Sequence, residues 1–442
     1  MLDARPVEGR LRTLRYAADA ILIAILLVVP WLRIGGEPAV LLDVPNRKFH
    51  VFGLVIFPQE LYFLWLLLAG LALTLFFATA LLGRLWCGWA CPQTVLTDVF
   101  AAVARRIEGW TRGGRPARVA PWRRVLLHLV WAAMALVLGF HLVAYFVPAE
   151  ELLAGLRARD LSPTVAGFLA TATLAAFVDL VYVRQGFCKV LCPYARFQGV
   201  LFDRDTLVIG YDALRGEPRG RRRAGASSSG DCVDCGLCVA VCPSRIDIRE
   251  GLQLECIACT QCIDACDAVM EKLGRRRGLI DYRSWVGLER IRRVRIVRPR
   301  VVVYGVLLAG VGIAFAVLLG ARQPLDLQVA HNATNLSMEA ADGRVGNGFT
   351  LHIENRDREE HRYRLSLEGP RGFELVAGMN PLAVPAASSV EARVFVLADA
   401  GVGSAAAPTR LRFVLAQEAD PEQRVAREVN FLAHPGGGRH VP

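Results

Sequence analysis

Cysteine, although frequent earlier in the chain, is absent beyond Gln323, and residues 301–320 contain no charged side chain. The lack of cysteine excludes an inter-sheet disulfide from any β-sandwich that follows Gln323. The lack of charge leaves an apolar run of the ~20 residues that a helix needs to cross a bilayer. The first apolar run covers residues 17–35, and no small-residue cleavage site follows it. We therefore expect a helix there and not a cleaved signal peptide.

Apolar residues are abundant: they make up 54% of the 442 residues, and the mean hydropathy is +0.35. Such values favour an integral membrane protein. Five runs have the length of a membrane span, and they cover residues 17–35, 61–83, 125–147, 163–183 and 301–320. The first four predict a membrane domain over residues 1–211, and the fifth is a separate transmembrane helix.

The basic residues between these runs predict the orientation of the spans. Four arginines precede residue 17, eight lie in 84–124 and 22 basic residues lie in 184–300, against two in 36–60 and two in 148–162. We therefore expect the tail, 84–124 and 184–300 to be cytoplasmic, and 36–60, 148–162 and the region beyond 321 to lie outside. The net charge of +11 then reflects topology and attraction to membrane lipid, and we expect no nucleic-acid binding.

Eight of the twelve cysteines form two copies of the spacing C-x2-C-x2-C-x3-C within residues 231–270. This spacing is typical of bacterial ferredoxins with two [4Fe–4S] clusters, in which the fourth cysteine of each copy binds the other cluster. It predicts one cluster on Cys232, Cys235, Cys238 and Cys266, and another on Cys256, Cys259, Cys262 and Cys242. Structural zinc sites and a disulfide framework are the competing interpretations. We expect a flexible basic linker at 212–230 and a basic cytoplasmic segment at 271–300.

Beyond Gln323, apolar and polar residues alternate in short runs, for example from Phe349 to Glu354 and from Tyr363 to Leu367. Such alternation, interrupted by Gly, Pro and Asn turns, predicts an immunoglobulin-like β-sandwich over 325–437. We expect this domain to bind or orient a partner, because no catalytic constellation is visible in it.

The other four cysteines form two C-x3-C-P motifs, each after the end of a predicted span: Cys87 with Cys91, and Cys188 with Cys192. Residues at i and i+4 share a helix face, so each motif can present two sulfurs, and the matched loops could bring all four into one site. Thiolates are soft ligands that favour Cu(I), and they can also carry electrons by a thiol–disulfide cycle. A third cluster, a zinc site and packing as small buried side chains are the alternatives.

The strings from Gly83 to Thr94 and from Cys188 to Gln198, with the double ferredoxin motif, resemble the CcoG/FixG/RdxA family of cytochrome c oxidase accessory proteins. The resemblance covers nearly the whole chain. It implies a cupric reductase of the bacterial inner membrane, which reduces Cu(II) to Cu(I) for loading into cbb3-type oxidase. It also implies copper handling by Cys87, Cys91, Cys188 and Cys192, and partners among copper chaperones and oxidase assembly factors. Composition and spacing by themselves show no copper.

Together these features predict a multi-domain integral membrane protein: an α-helical membrane domain of about five spans, a cytoplasmic ferredoxin-like domain and a C-terminal immunoglobulin-like β-sandwich. We expect a cytosolic donor to reduce the two clusters, and electrons to pass to copper at the four membrane-edge cysteines. An electron-relay subunit of a quinol-linked respiratory chain and a non-enzymatic scaffold for oxidase assembly are the alternative functions. Glu60, Asp98 and Asp179, which are ionisable residues in or near spans, are further candidates.

Overall fold

The computed structural model describes residues 4–109, 120–220, 230–289, 294–332, 338–339, 344–399 and 408–432. The chain divides into two compact units, Met1–Ala316 and Val317–Pro442. The helices are α1 Arg10–Val28, α2 Leu61–Leu82, α3 Leu85–Trp89, α4 Pro92–Glu108, α5 Pro121–Val143, α6 Ala149–Ala158, α7 Pro163–Val178, α8 Pro193–Leu201, α9 Ala213–Gly216, α10 Leu237–Ala240, α11 Gln261–Lys272, α12 Trp285–Leu288 and α13 Pro299–Gly320.

The described strands lie in four places along the chain: between the first two spans, before the ferredoxin cysteines, after them, and beyond α13. They are β1 Arg33–Ile34, β2 Glu37–Pro38, β3 Val40–Asp43, β4 Lys48–Val51, β5 Leu54–Ile56, β6 Leu207–Tyr211, β7 Ile280–Ser284, β8 Leu325–His331, β9 Met338–Glu339, β10 Val345–Asn355, β11 His361–Glu368, β12 Phe373–Ala377, β13 Leu382–Val384, β14 Ser388–Ala398, β15 Thr409–Gln417 and β16 Arg424–Phe431.

Within the described residues, five helical stretches are long and apolar enough to cross a membrane, and the protein is therefore a multi-pass membrane protein. They are Arg10–Trp31, Pro58–Leu82, Pro121–Val143, Pro163–Val183 and Pro299–Gly320. The first begins well before the predicted residue 17, because Arg12 and Arg15 are buried against partners within the protein and so belong to the helix. The last packs antiparallel on α2, with ring contacts Phe63–Phe315 at 5.6 Å and Phe76–Tyr304 at 6.3 Å between centroids.

The segment between the first two spans, expected only as a connection, folds into a small antiparallel sheet of β3, β4 and β5. Its apolar residues Leu41, Val55 and Ile56 are buried. The sheet closes the ends of α1 and α2 that lie away from the cysteine motifs.

The ferredoxin-like unit is larger than the predicted 231–270, because β6 and β7 pair antiparallel on either side of it, from Leu207↔Ser284 to Tyr211↔Ile280. The structure also differs from the prediction of a linker that starts at residue 212. Asp212 caps α9 through its side chain, and its N–H donates to the Leu279 carbonyl at 2.9 Å, so residues 212–216 are folded. Residues 221–229 of that linker lie outside the described residues. The predicted basic segment 271–300 likewise contains β7 and α12.

The C-terminal unit is a sandwich of two antiparallel sheets, as the alternation predicts. One sheet has the order β12-β14-β10-β8, with β9 paired to β10, and the other has the order β13-β11-β15-β16. Aromatic side chains from both sheets fill the core, with Phe349–Phe413 at 5.2 Å and Phe373–Phe431 at 5.1 Å between ring centroids. Residues 433–437 of the predicted domain lie outside the described residues.

Candidate functional site

The first predicted set of thiols surrounds a small cavity in the ferredoxin-like unit, and its members are Cys232, Cys235, Cys238 and Cys266. Cys266 belongs to α11 and lies far along the chain from the other three cysteines, so it is the fold that brings it beside them. Burial first, and then the charge of neighbours led by Cys238, raise the pKa of Cys266 to about 12. Cys266 therefore lies with the first triplet of cysteines and away from its own.

The second set surrounds an adjacent cavity, and its members are Cys242, Cys256, Cys259 and Cys262. Burial raises the pKa of Cys256 to about 12, and Cys242 is among the neighbours that raise it. Because Cys238 lines both cavities, the two sets are immediate neighbours. Centres held this close can exchange electrons directly.

The donor sets fit [4Fe–4S] clusters better than single ions. A tetrahedral zinc ion, with Zn–S near 2.3 Å, needs sulfurs only ~3.8 Å apart. Among the described residues, which include every cysteine, no three His, Cys, Asp or Glu side chains converge in the way that one ion requires. A cube that carries one thiolate on each iron holds its sulfurs further apart. All twelve cysteines are free thiols in this structure.

The two C-x3-C-P motifs are built in the same way, as two copies of one local structure. In the first, the span ends at Leu82 and Gly83 turns the chain with φ 58° and ψ −122°. In the second, Arg184 turns the chain after the fourth span with the same conformation, φ 51° and ψ −125°. A short helical turn follows in each copy.

The second cysteine of each copy then begins a helix. Cys91 is the N-cap of α4, and Cys192 is the N-cap of α8, each with proline at the next position. Proline is favoured at the first helical position, and it marks where each helix starts. Cys91 and Cys192 therefore lie at the N-terminal ends of two helices.

The fold brings the two copies together, and we call Cys87, Cys91, Cys188 and Cys192 the four-cysteine site. Burial raises the pKa of Cys87 to about 11, and Cys91 and Cys192 are among the neighbours that raise it. Burial raises the pKa of Cys188 to about 12, with added contributions from Cys91, Cys87 and Cys192. Each thiol thus lies within electrostatic range of thiols from the other motif.

Polar contacts cross between the copies at equivalent positions. Gln93, which follows Cys91-Pro92, donates through Nε2 to Asp179 Oδ1 at 3.2 Å and to the Arg184 carbonyl at 3.1 Å. Tyr194, which follows Cys192-Pro193, bonds through its hydroxyl to Thr79 at the end of the second span. Asp179 therefore has a structural partner that holds the four-cysteine site together.

The four-cysteine site packs directly on the loop that carries Cys256 and Cys259. Gly88 approaches this loop so closely that an added Cβ would lie 2.4 Å from the Ala258 carbonyl oxygen. Trp89 Nε1 donates to the Tyr282 hydroxyl at 3.1 Å, and that hydroxyl donates to the Ala258 carbonyl, also at 3.1 Å. The second ferredoxin set thus adjoins the first set through Cys238, and its loop contacts the four-cysteine site through Gly88.

Arg84 connects all parts of this contact. Its Nη1 donates to the Cys256 carbonyl at 3.2 Å, and its Nη2 donates to the Ala195 carbonyl at 2.9 Å. Because Ala195 follows the second C-x3-C-P motif, one guanidinium joins both motifs to the cluster loop. Its positive charge lies near Cys87 of the four-cysteine site and near Cys256 of the second ferredoxin set.

A buried ionic network that also contacts the cluster loop was not predicted from the sequence. Asp98 Oδ2 pairs with Arg12 Nη1 at 2.8 Å and with Arg15 Nη2 at 2.5 Å. Arg15 is fully buried, and its Nη1 donates to the Cys259 carbonyl at 3.3 Å. The sequence carries two signals of it: Asp98, named above as an ionisable candidate, and the arginines before residue 17, which we interpreted as a topology signal alone.

The remaining ionisable candidates are structural. Asp98 is the counter-ion of Arg12 and Arg15, as described. Glu60 is buried at the start of the second span, where its Oε2 accepts a hydrogen bond from the Phe57 N–H at 3.5 Å. Asp264 of α11 accepts from the N–H groups of Leu11 and Arg12, and so caps the first span from the ferredoxin-like unit.

Comparison with known proteins agrees with this architecture. Family models described as a 4Fe-4S dicluster domain, a 4Fe-4S binding domain and the immunoglobulin-like fold at the C-terminus of FixG match residues 183–285, 63–111 and 315–434. Protein RdxA of Cereibacter sphaeroides is 39% identical, over 97% of this chain and 96% of its own length. Nitrogen fixation protein FixG of Rhizobium meliloti is 37% identical, over 84% of this chain and 80% of its own. Protein RdxB of Cereibacter sphaeroides is 35% identical, over 96% and 94%.

Proposed function

Because the chain belongs to the FixG/RdxA family of iron–sulfur electron-transfer proteins, we propose that it is a membrane-bound reductase that converts Cu(II) to Cu(I). The observation that carries the proposal is the direct packing of the four-cysteine site on the Cys256–Cys259 loop, through Gly88 and Arg84. The two [4Fe–4S] clusters, when bound, supply electrons one at a time. Reduction of one Cu(II) ion consumes one electron.

The four-cysteine site is the proposed place of copper reduction. Soft thiolates stabilise Cu(I) over Cu(II), which makes the copper ion easier to reduce there. With pKa values raised to about 11 for Cys87 and about 12 for Cys188, these thiols are protonated at neutral pH, so copper binding releases protons. Within the described part of the chain, no three of these thiols converge as ligands of one ion, so the proposed first ligands of copper are the two sulfurs of one C-x3-C pair.

A third [4Fe–4S] cluster on the same four sulfurs is the second candidate. The observation that favours it is the match of a 4Fe-4S binding domain to residues 63–111, since this range contains only Cys87 and Cys91. Two cysteines supply half of the ligands of a cube, and the fold offers the other two from the second motif. Analysis of iron and acid-labile sulfide distinguishes the candidates: about eight of each per chain means two clusters, and about twelve means three.

We further propose that the protein lies in the bacterial inner membrane, with the ferredoxin-like unit in the cytoplasm and the β-sandwich in the periplasm. The distribution of arginine and lysine supports this orientation. A reducing cytoplasm also keeps cysteines as the thiols that cluster assembly requires. A cytosolic donor would reduce the clusters, and copper chaperones and assembly factors of cbb3-type oxidase would be the partners on the copper pathway.

Replacement of Cys91 and Cys192 by serine tests the copper site. Anaerobically purified protein, reduced by an artificial low-potential donor, should convert Cu(II) to Cu(I), as measured with a chromophoric Cu(I) chelator. The double serine variant should keep the brown absorbance of the two ferredoxin clusters and lose copper reduction, because each C-x3-C pair has lost one of its two sulfurs. Ala90→Ser is the matched control, since it places a hydroxyl in the same loop and leaves all four sulfurs.

Each other outcome of this experiment supports a different function. Full copper reduction in the double variant would show that these cysteines are not the copper site. Oxidation of quinol without copper reduction by the unaltered protein would indicate a respiratory relay subunit. Activity with neither substrate would leave an assembly scaffold as the function.

A further inference from the structure

We propose that the protein binds the phosphate of an acidic phospholipid headgroup in a cavity between its membrane helices and the ferredoxin-like unit. The cavity has a volume of about 310 Å³. Its walls come from the N-terminal segment before α1, from α1 and α4, from the turn that follows the fourth span, and from the loop after Cys242. Nothing in the proposed electron path uses it.

The charge of the lining selects an anion. Six cationic side chains line the cavity: Arg5, Arg12, Arg105, Arg184, Lys189 and Arg245. Among the described residues that line it, Asp98 is the one carboxylate, and its charge is already balanced by Arg12 and by Arg15 behind it. The cavity therefore has a strongly positive potential, which attracts a multiply charged or phosphate-bearing ligand.

The walls are joined by hydrogen bonds, so the cavity is a formed site. Lys189 Nζ donates to the Ser244 carbonyl at 2.8 Å, which connects the second cysteine motif to the ferredoxin-like unit. The Arg5 N–H donates to the Ala240 carbonyl at 2.8 Å, which fixes the N-terminal segment on the same unit. Arg184 also lines the cavity, and its backbone φ of 51° is one that residues with a Cβ rarely adopt and that often marks a functional position.

The position of the cavity favours a lipid as the occupant. It lies where the first span begins and the fourth span ends, and hence at the depth of the headgroups. Tyr16 and Tyr182 line the cavity, and they are 45% and 59% exposed. Tyrosines are enriched at membrane surfaces in this way. Basic pockets between spans at this depth bind acidic headgroups, and the volume is sufficient for a glycerophosphate group.

Native mass spectrometry of the full-length protein in a mild detergent tests the site, with cardiolipin, phosphatidylglycerol or phosphatidylethanolamine added as the probe. The protein should retain the two acidic lipids and not phosphatidylethanolamine. The double variant Arg105→Gln/Arg245→Gln should bind the acidic lipids at least about tenfold more weakly, because two charge-assisted contacts are lost. Unchanged iron content and visible absorbance show that the variant is folded; if the double variant lacks iron, Arg105→Gln alone replaces it.

The matched control is Arg157→Gln/Arg159→Gln, which removes the same charge from exposed positions between the third and fourth spans. It should leave lipid retention unchanged. Equal loss in both double variants would mean general attraction of lipid to a basic protein, and would overturn the proposal. Displacement of the acidic lipid by millimolar inorganic phosphate, with no preference among the three lipids, would assign the cavity to a soluble phosphate compound instead.

Discussion

At the scale of single residues, Arg15 has the clearest consequence for electron transfer. Its guanidinium is fully buried and touches the Cys259 carbonyl, next to the ligands of the second predicted cluster. A cluster gains negative charge on reduction, so a positive charge fixed beside it favours the reduced state. Net charge is one of the factors that set the potentials of such clusters. Asp98, at 2.5 Å from Arg15, partly offsets the effect.

The substitution Arg15→Gln should therefore lower the midpoint potential of the cluster on Cys242, Cys256, Cys259 and Cys262. At the effective dielectric constant of a protein interior, loss of one charge at this range changes the potential by roughly tens of millivolts. Redox titration followed by low-temperature EPR measures it. Asp98→Asn should raise the same potential, because it removes the opposing charge.

Two comparisons separate this electrostatic effect from damage to the fold. Arg15→Lys should keep most of the original potential, and the cluster on Cys232, Cys235, Cys238 and Cys266 should shift less than the other cluster in every variant, because it is not the one that Arg15 contacts. A shift of the same sign in Arg15→Gln and Asp98→Asn would contradict the electrostatic explanation.

At the scale of elements, the central feature is the repeated unit of span, positive-φ turn, C-x3-C-P and helix. The spacing of the cysteines was enough to predict each pair, because both cysteines of a pair belong to one local structure. The two C-x3-C-P copies are held together by the contact of Gln93 with Asp179 and by that of Tyr194 with Thr79, and the residues of each contact are far apart in sequence. No local pattern signals such contacts, so the sequence alone left the four sulfurs as two separate pairs that could meet.

Gly88→Ala tests whether the close approach of these elements matters for the reaction. The new Cβ would lie 2.4 Å from the Ala258 carbonyl and 2.7 Å from the Ile257 carbonyl, so the two loops must separate. Displacements of about 1 Å at a reaction site can slow the reaction up to ~100-fold. We expect slower copper reduction with unchanged iron content, measured by stopped-flow mixing of the reduced protein with Cu(II).

The matched control is Gly186→Ala, in the second copy, where the added Cβ meets only Val183 Cγ1 at 3.9 Å. It should leave the rate unchanged. Equal rates in all three proteins would mean that electrons reach copper by a route that avoids the Gly88 contact.

At the scale of the whole molecule, the chain has two compact units, and the first of them contains both the first four membrane spans and the ferredoxin-like unit. The sequence predicted each of these parts from a different signal. Apolar runs predicted the spans, cysteine spacing predicted the ferredoxin-like unit, and alternation predicted the β-sandwich. The boundaries were less predictable. Strands β6 and β7 lie outside the cysteine motif, and they pair only because residues 207–211 and 280–284 meet in three dimensions. The start of the first span was hidden because its arginines are buried in ion pairs, which apolar content does not detect.

The orientation of the whole chain gives the last prediction, which fused reporters can test. The distribution of basic residues predicts that segments 84–124 and 184–300 lie on one side of the membrane and residues 148–162 on the other. An alkaline phosphatase domain, active only outside the cytoplasm, should be active when fused after residue 432 and inactive when fused after residue 289. Green fluorescent protein should give the reverse pattern. A phosphatase fused after residue 160, between the third and fourth spans, is the internal control and should be active. Phosphatase activity after residue 289 would place the ferredoxin-like unit outside, where its thiols would meet an oxidising compartment, and the proposed supply of electrons from the cytoplasm would be wrong.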